Sequence, residues 1–502
     1  MPPLQQTWID RTLRTVAPRW YLQRTRARVA ADLVMRHYEA AAIGRRTSGW
    51  NRTIGDANSV NTLALSLVRD LAHDLVRNNG QMGQALRTIA NHAVGWGIVA
   101  KTLDAGVMAL WKAWAESTAC DADGRDDFYG LQKLVMRGVA ESGEMLVRRR
   151  RRRLEDGYPI PVQLQVLEPD FLDTNKSQAL PGGGMIIQGI EFDPLGNRVA
   201  YWLYPSHPGS SLTSTATILS PARRIPASEI QHVYQRDRAG QVRAVSWFAP
   251  IILPAKDLDE YGDATLMKQK IAACLAVITS DVDGTGAPLG TADDTENPGT
   301  DTLSPGAVLN IPAGRTVEVV QPPSVTDYES FMAVEQRKIA KGLGLSYEDY
   351  VGDYSNVNFS SARMARLEHY DNVYDWRYRL MIPQFCQPVW GWAMEAVQIM
   401  LGLPAPPAAT WTCPPMPMIE PDKEGLAYKR NMRIGAITWP EMVRERGYDP
   451  EAVLAEIREW NKKLDAAGIV LDSDPRHMTE AGQAQDGSRA SAPAATAGGG
   501  AA

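Results

Sequence analysis

Cysteine is scarce: Cys120, Cys274, Cys386 and Cys413 lie scattered along 502 residues with no Cys-x-x-Cys pair. That spacing excludes the common zinc arrangements and supplies no disulfide framework, so free thiols in a reducing compartment are expected. No Gly-Lys dipeptide occurs, which removes the phosphate-cradling Walker loop and the simplest ATP-driven motor. The seven histidines include no His-Glu-x-x-His, and there is no Gly-x-Ser-x-Gly elbow. No apolar run approaches the roughly 18 residues of a membrane span. The Arg-rich N-terminus lacks the apolar core and cleavage site of a secretory signal. No internal repeat is present. An excess of positive charge is missing as well, with a net charge of −5. A protein that coats DNA by neutralising phosphates is normally basic. Any nucleic acid handled here is expected to be held locally or merely let through.

What is present is a chain long and apolar enough for a sizeable core, 44% hydrophobic with 14 Trp. Residues 1–52 hold ten Arg against three acids, a basic arm expected to order against DNA, an acidic protein face or a neighbouring copy. Four helices are expected next. Leu63, Leu67, Leu71 and Leu75 recur at helical spacing up to Asn78-Asn79-Gly80, then Met82, Leu86, Ile89 and Ala93. Val107, Leu110, Trp111 and Trp114 repeat the pattern, as do Phe128, Leu131, Leu134 and Val135. From Glu144 the period becomes two, and strands are expected at 145–147, 162–167, 185–187, 199–204 and 230–234. Gly- and Pro-rich turns separate them, as in a small antiparallel sheet or barrel. A helix is expected from Pro250 to Thr279, and a strand pair at 307–311 and 316–320 within the Gly/Pro-rich stretch 282–325. Further helices are expected at 326–342, 362–401 (kinked at Pro383 and Pro388) and 421–466. Residues 482–502, rich in Ala and Gly, should be disordered. The fold class is α+β.

Each motif that could carry chemistry has a plainer reading. Asp121-Ala-Asp123-Gly124 begins like a calcium loop, but its Gly comes too early and no closing acid follows, so a capped turn is expected. Asp257, Asp259, Glu260 and Asp263 could hold Mg²⁺ for a nuclease, yet on a helix they spread around the axis instead of converging. Six consecutive arginines, Arg148 to Arg153, cannot all be buried. Ion pairing within or between subunits, with Glu141, Glu144, Glu155 and Asp156 as local candidates, is preferred over DNA contact. Tyr370, Tyr374, Trp376, Tyr378, Trp390 and Trp392 could stack on bases, but aromatics at helical spacing are expected to be packing. No catalytic residue, metal site or cofactor is expected.

The order of several segments says more. Asn51-Arg-Thr-Ile-Gly-Asp-Ala-Asn is followed by Leu67-Val-Arg-Asp-Leu-Ala, Asn78-Asn-Gly, Phe128-Tyr-Gly-Leu-Gln-Lys-Leu-Val and Glu141-Ser-Gly-Glu-Met-Leu-Val. Then come Leu167-Glu-Pro-Asp and Ala249-Pro-Ile-Ile-Leu-Pro-Ala-Lys-Asp-Leu-Asp-Glu-Tyr-Gly-Asp-Ala. The most specific stretch runs from Leu343-Gly-Leu-Ser-Tyr-Glu-Asp-Tyr to Asn358-Phe-Ser-Ser-Ala-Arg363. Over residues 45–465 the chain resembles the lambda family of tailed-phage portal proteins.

The resemblance implies a portal-type fold: a helical wing with a small antiparallel β region (53–248), a stem helix (249–281), an α/β clip (282–325) and a second stem helix (326–345). A tunnel loop (346–361), a long kinked wing helix with its connection (362–420), helical crown (421–468) and tail (469–502) would follow. It further implies a homo-oligomeric ring, expected to be a dodecamer, at one capsid vertex of the virion, assembled in the host cytoplasm. Expected partners are the terminase large subunit, the major capsid and scaffold proteins, head-tail completion proteins and double-stranded DNA in the channel, with no membrane. The loop residues expected to face DNA are Asp353, Tyr354, Ser355, Asn356, Asn358, Ser360 and Ser361. Lys338, Lys341, Arg363 and Arg366 flank them and could steady the duplex, with ion pairing to neighbouring helices the plainer reading. A channel must let DNA slide, so an uncharged loop suits it better than a cationic clamp. The rivals are a phage DNA-processing enzyme (metal-dependent nuclease or terminase component) and another virion structural protein.

Overall fold

A computed structural model describes residues 55–62, 64–210, 220–273, 277–281, 315–319, 327–355, 359–418, 420–471, 474, 476 and 477. The chain divides into two compact units, Met1–Val60 and Asn61–Ala502. Only residues 55–60 of the first are described, and everything below concerns the second. The basic arm, residues 307–311, most of 282–325 and the Ala/Gly tail lie outside the described residues.

Four helices open the unit: α1 (Leu65–Asn78), α2 (Gly80–Val94), α3 (Ala105–Ala115) and α4 (Phe128–Ser142). The starts of α2, α3 and α4 follow from polar caps, whereas α1 begins after Ala64 with no side-chain cap. Asn79, the expected stop, occupies a single extended residue that ends α1 and caps α2, its side chain accepting from the Met82 amide at 3.0 Å. Asp104 and Asp127 do the same for α3 and α4. Gly143 closes α4 at φ 89°, and a Cβ there would lie 2.4 Å from the Val245 carbonyl carbon, so only glycine fits.

The β region is two antiparallel sheets instead of one. Strands β2 (Glu144–Arg151), β3 (Val162–Leu167) and β9 (Ile230–Tyr234) pair in the order β3-β2-β9. The second sheet runs in sequence through β4 (Gln178–Ala179), β5 (Met185–Ile187), β6 (Ile190–Phe192), β7 (Arg198–Leu203) and β8 (Arg223–Pro226). Leu146, Leu167, Ile190, Tyr201, Leu203 and Ile230 fill a small core that spans both sheets. A further two-stranded pairing joins β1 (Val99–Lys101) to β12 (Thr410–Thr412), far apart in the chain.

Helix α5 covers Ile252–Ala273 and stops short of the expected Thr279. Val277–Asp281 instead form β10, paired with β11 (Arg315–Val319) in the register Thr279↔Val317. The β-branched run Val277-Ile278-Thr279 favours extended backbone over helix. The first turns of α5 reach the core, through Ile252, Ala255 and Leu258. Beyond them Leu266 and Met267 are exposed. Tyr261 stacks on Tyr328 of helix α6 (Tyr328–Gly342) at 5.7 Å.

Helix α7 (Tyr347–Val351) is short, and α8 (Phe359–Asp375) leads into a π-helical stretch, Trp376–Cys386, and α9 (Gln387–Leu401). Pro383 falls inside the wider stretch, where a turn of five residues accommodates a residue with no N–H and a bulky ring. Pro388 stands in the first turn of α9, the position proline tolerates best. The main core joins this path to the opening helices: Trp111 lies 4.7 Å from Trp390 and 5.2 Å from Phe128, which stacks on Phe385 at 5.5 Å. Trp376, Trp390 and Trp392 are buried, whereas Tyr374 and Tyr378 are exposed. The segment expected as helical over 421–466 is three helices, α10 (Pro421–Arg433), α11 (Trp439–Glu445) and α12 (Pro450–Ala467). The intervening Gly435 and Gly447 adopt left-handed φ of 73° and 75°.

Candidate functional site

The loop singled out from sequence is shorter than 346–361. Ser346 accepts from the Asp349 amide at 3.0 Å and starts α7, so Tyr347–Val351 are helical and Tyr350 is buried. Gly352 ends α7 at φ 77°. At the far side Ser360 and Ser361 belong to α8. What separates the two helices is residues 352–358, of which Asn356 and Asn358 lie outside the described residues. Asp353 accepts from the amide and hydroxyl of Ser355 at 2.9 and 2.6 Å, and these hydrogen bonds hold its carboxyl below the usual carboxylate value. Tyr354 is exposed.

The base of the loop is rigidly tied. Gly344, at φ 72°, turns the chain between α6 and α7, and its carbonyl accepts from Asn372 (2.9 Å) and His369 Nδ1 (3.1 Å), both on α8. His369 Nε2 lies 2.7 Å from His92 Nδ1 on α2. Burial and the neighbouring His369 push the His92 imidazole below its ordinary value. One turn after Asn372, Arg377 donates to the carbonyls of Ala93 (2.7 Å), His92 (2.7 Å) and Pro414 (2.8 Å). A buried guanidinium thereby satisfies orphan carbonyls at the C-terminus of α2, where the helix dipole favours a cation.

The flanking cations are mostly committed. Lys338 pairs with Glu335 at 2.6 Å, Lys341 with Glu368, and Arg363 with Glu420 at 3.3 Å. Arg366, half-buried on α8, forms no ion pair among the described residues.

The arginine run forms ion pairs, as expected, but with acids other than the local candidates. Arg148–Arg151 continue β2, so alternation sends Arg149 inward, where it meets Glu395 and the Trp392 carbonyl, the latter at 3.3 Å. Arg151 pairs with Glu229 at 3.3 Å, while Arg150 and Arg152 donate to Gln165 and Gln163. Glu141, Glu155 and Asp156 form no ion pair with the run among the described residues. Glu144 faces the other way. Fully buried, it accepts from Arg243 Nε at 2.7 Å, His232 Nε2 at 2.9 Å and the Ala244 amide at 3.1 Å, with Arg69 Nη2 at 3.7 Å. Burial works to raise its pKa, but Arg243 and His232 outweigh it and hold the carboxyl well below the usual range. Burial holds His232 down at about 4 despite Glu144, so its imidazole is neutral at pH 7. These residues are distant in sequence, and no local pattern announces the cluster.

Asp121 accepts from the amides of Asp123, Arg125 and Asp126, the capped turn expected for that segment. Among the described residues no helix is long and apolar enough to cross a membrane.

Comparison with known proteins adds what geometry alone does not. Residues 43–377 match the family described as phage portal protein, lambda family. The chain is similar to the probable portal protein of Halomonas phage phiHAP-1, 26% identical over 463 residues that cover 86% of this chain and 88% of that protein. It is also similar to the portal protein of Escherichia phage N15, 24% identical over 531 residues, covering 90% and 96%. Among solved structures it resembles a chain in the neck of a native gene transfer agent particle (TM-score 0.46, 13% identity, 81% and 98% covered). An HK97-family portal protein from Corynebacterium diphtheriae is more distant (TM-score 0.30, 10% identity, 69% and 90% covered). With the family match spanning more than half of its length, the chain belongs to the lambda family of phage portal proteins and is a structural portal subunit.

Proposed function

We propose that twelve copies of this chain close into a ring at one capsid vertex, through which double-stranded DNA enters during packaging and leaves during ejection. Residues 53–248 and 362–420 form the wing, α5 and α6 within 249–281 and 326–345 the stem, 282–325 the clip, and 421–468 the crown. The clip meets the terminase large subunit and later the head-tail completion proteins, and the outer faces meet capsid and scaffold proteins. The chain itself catalyses nothing in this reading.

The observation that carries it is apolar surface left open on a lone chain. Leu266 and Met267 on α5, Phe331 and Val334 on α6, and Leu454, Ile457 and Trp460 on α12 are all exposed. Exposed apolar side chains recur on three helices, and identical neighbours in a closed ring would cover them. Residues 352–358 suit a channel lining, since Asp353 is their one charged residue and three of the four cations beside them, Lys338, Lys341 and Arg363, are held by Glu335, Glu368 and Glu420. Such a surface touches a duplex without gripping its phosphates. Negative-stain electron microscopy of the purified full chain, with mass determination on the same sample, tests the reading. Rings with a hole wide enough for duplex DNA and a mass near twelve subunits support it. Metal-dependent DNA cleavage by a monomer would overturn it.

A further inference from the structure

The described residues hold two clusters of histidine and carboxylate close enough to share one ion. In the first, Glu168, Asp170 and His207, the Asp170 carboxylate is already engaged in an ion pair with Arg69. The second joins three helices: His92 on α2, Asp349 on α7 and His369 on α8, with ligand atoms all within 4.8 Å of one another. We propose that this second cluster is a binding site for a divalent transition metal, with Zn²⁺ the best match to two imidazoles and a carboxylate.

The orientation of each ligand supports this. The Gly344 carbonyl can only accept, so it takes the hydrogen of His369 Nδ1, and Nε2 is the nitrogen of that ring turned toward His92. A backbone carbonyl fixing the far nitrogen of a ligand imidazole is the usual outer support of a metal site. Asp349 is steered in the same way, its carboxylate accepting from the Ser346 hydroxyl at 2.9 Å. The two ring nitrogens, 2.7 Å apart, now share a hydrogen bond. A tetrahedral zinc with Zn–N near 2.0–2.1 Å separates its nitrogens by about 3.3–3.4 Å, so the rings open by roughly 0.6 Å, and the proton between them passes through solvent to Nε2 of His92, leaving both facing nitrogens free for the metal. His369 is buried while His92 and Asp349 are half-exposed, so an ion has a path in and a position remains for water. Because α7 and α8 bracket residues 352–358, a bound ion would pin both ends of that loop to α2.

The test uses the full chain without a polyhistidine tag, stripped with chelator and titrated with Co²⁺ as the visible probe, then with Zn²⁺ as competitor. The expected result is saturable binding near one ion per chain, with d–d absorption that Zn²⁺ abolishes. H92Q and H369Q should weaken it by roughly a hundredfold or more and D349N by roughly tenfold or more, while H207Q leaves it unchanged. H92Q guards against a fold defect at the buried His369, and circular dichroism of each metal-free variant checks folding. Failure of the wild-type chain to bind Co²⁺, or equal binding in folded H92Q, overturns the site. The readout is on the chain itself, so either result is independent of whether rings form.

Discussion

Replacing Glu144 with Gln tests the buried charge cluster most directly. Four donors surround its oxygens: Arg243, neutral His232, the Ala244 amide and, farther off, Arg69. A carboxylate only accepts, whereas the amide nitrogen of Gln would face a donor whichever way it turned. The substitution also leaves the buried Arg243 charge without its partner. Breaking a buried pair from one side costs about 3–5 kcal/mol, and the same range is expected here as a fall in the urea midpoint followed by tryptophan fluorescence. E144L/R243M, which removes both charges, should lose less than the sum of its single changes. The pH dependence separates the partners. His232 stays neutral down to about 4 in the folded chain, whereas its unfolded form takes a proton below about 6.5. Its contribution is therefore complete above 6.5 and lost as pH falls toward 4, roughly 3 kcal/mol across that window. Glu144, held below its unfolded value near 4.3, is lost only at lower pH. H232Q should flatten the upper window alone. A cost for E144Q under about 1 kcal/mol, or a double variant no better than the sum, would refute the reasoning.

Gly143→Ala should lower stability by about 2 kcal/mol or more, from left-handed backbone and a Cβ driven into Val245, read as the same midpoint shift. Arg377→Lys keeps the charge but cannot reach all three carbonyls with one fork, and a loss of about 2 kcal/mol is expected in a thermal or urea melt. Burial pushes the Cys120 thiol up to about 12 and the Cys386 thiol well above its ordinary value. Iodoacetamide labelling mapped by mass spectrometry should leave both unmodified in the folded chain at pH 8 and modify them once urea is added.

The helices α1 to α4 were legible because each carries an apolar stripe at helical spacing, and α2, α3 and α4 also have a polar cap just before their start. The strands were legible singly, through alternation, but not the division into two sheets, because pairing partners such as Glu144 and Tyr234 are set by contacts far along the chain. Val277–Thr279, expected as the end of a helix, are strand, and their β-branched residues argued for it. The shortened loop also had a signal: Ser346-x-x-Asp349 is a helix start, passed over in favour of the polar look of the segment. Arg69, Glu144, His232 and Arg243 left no trace, since a buried charge is recognised only by what surrounds it. The same holds for His92, Asp349 and His369, which share no spacing that a motif could name.

The pairing of Val99–Lys101 with Thr410–Thr412, and of Trp111 with Trp390, has a consequence for biosynthesis. At roughly 5–20 residues per second, the ribosome spends on the order of 15–60 seconds between making these partners. Through that interval the apolar sides of α3 and α4 have no lid, and a chaperone or the ribosome surface must shield them. A nascent chain therefore reaches its native packing only after Trp390 and Thr410–Thr412 have been made. Fragments released early cannot present a finished subunit, which keeps defective copies out of any assembly.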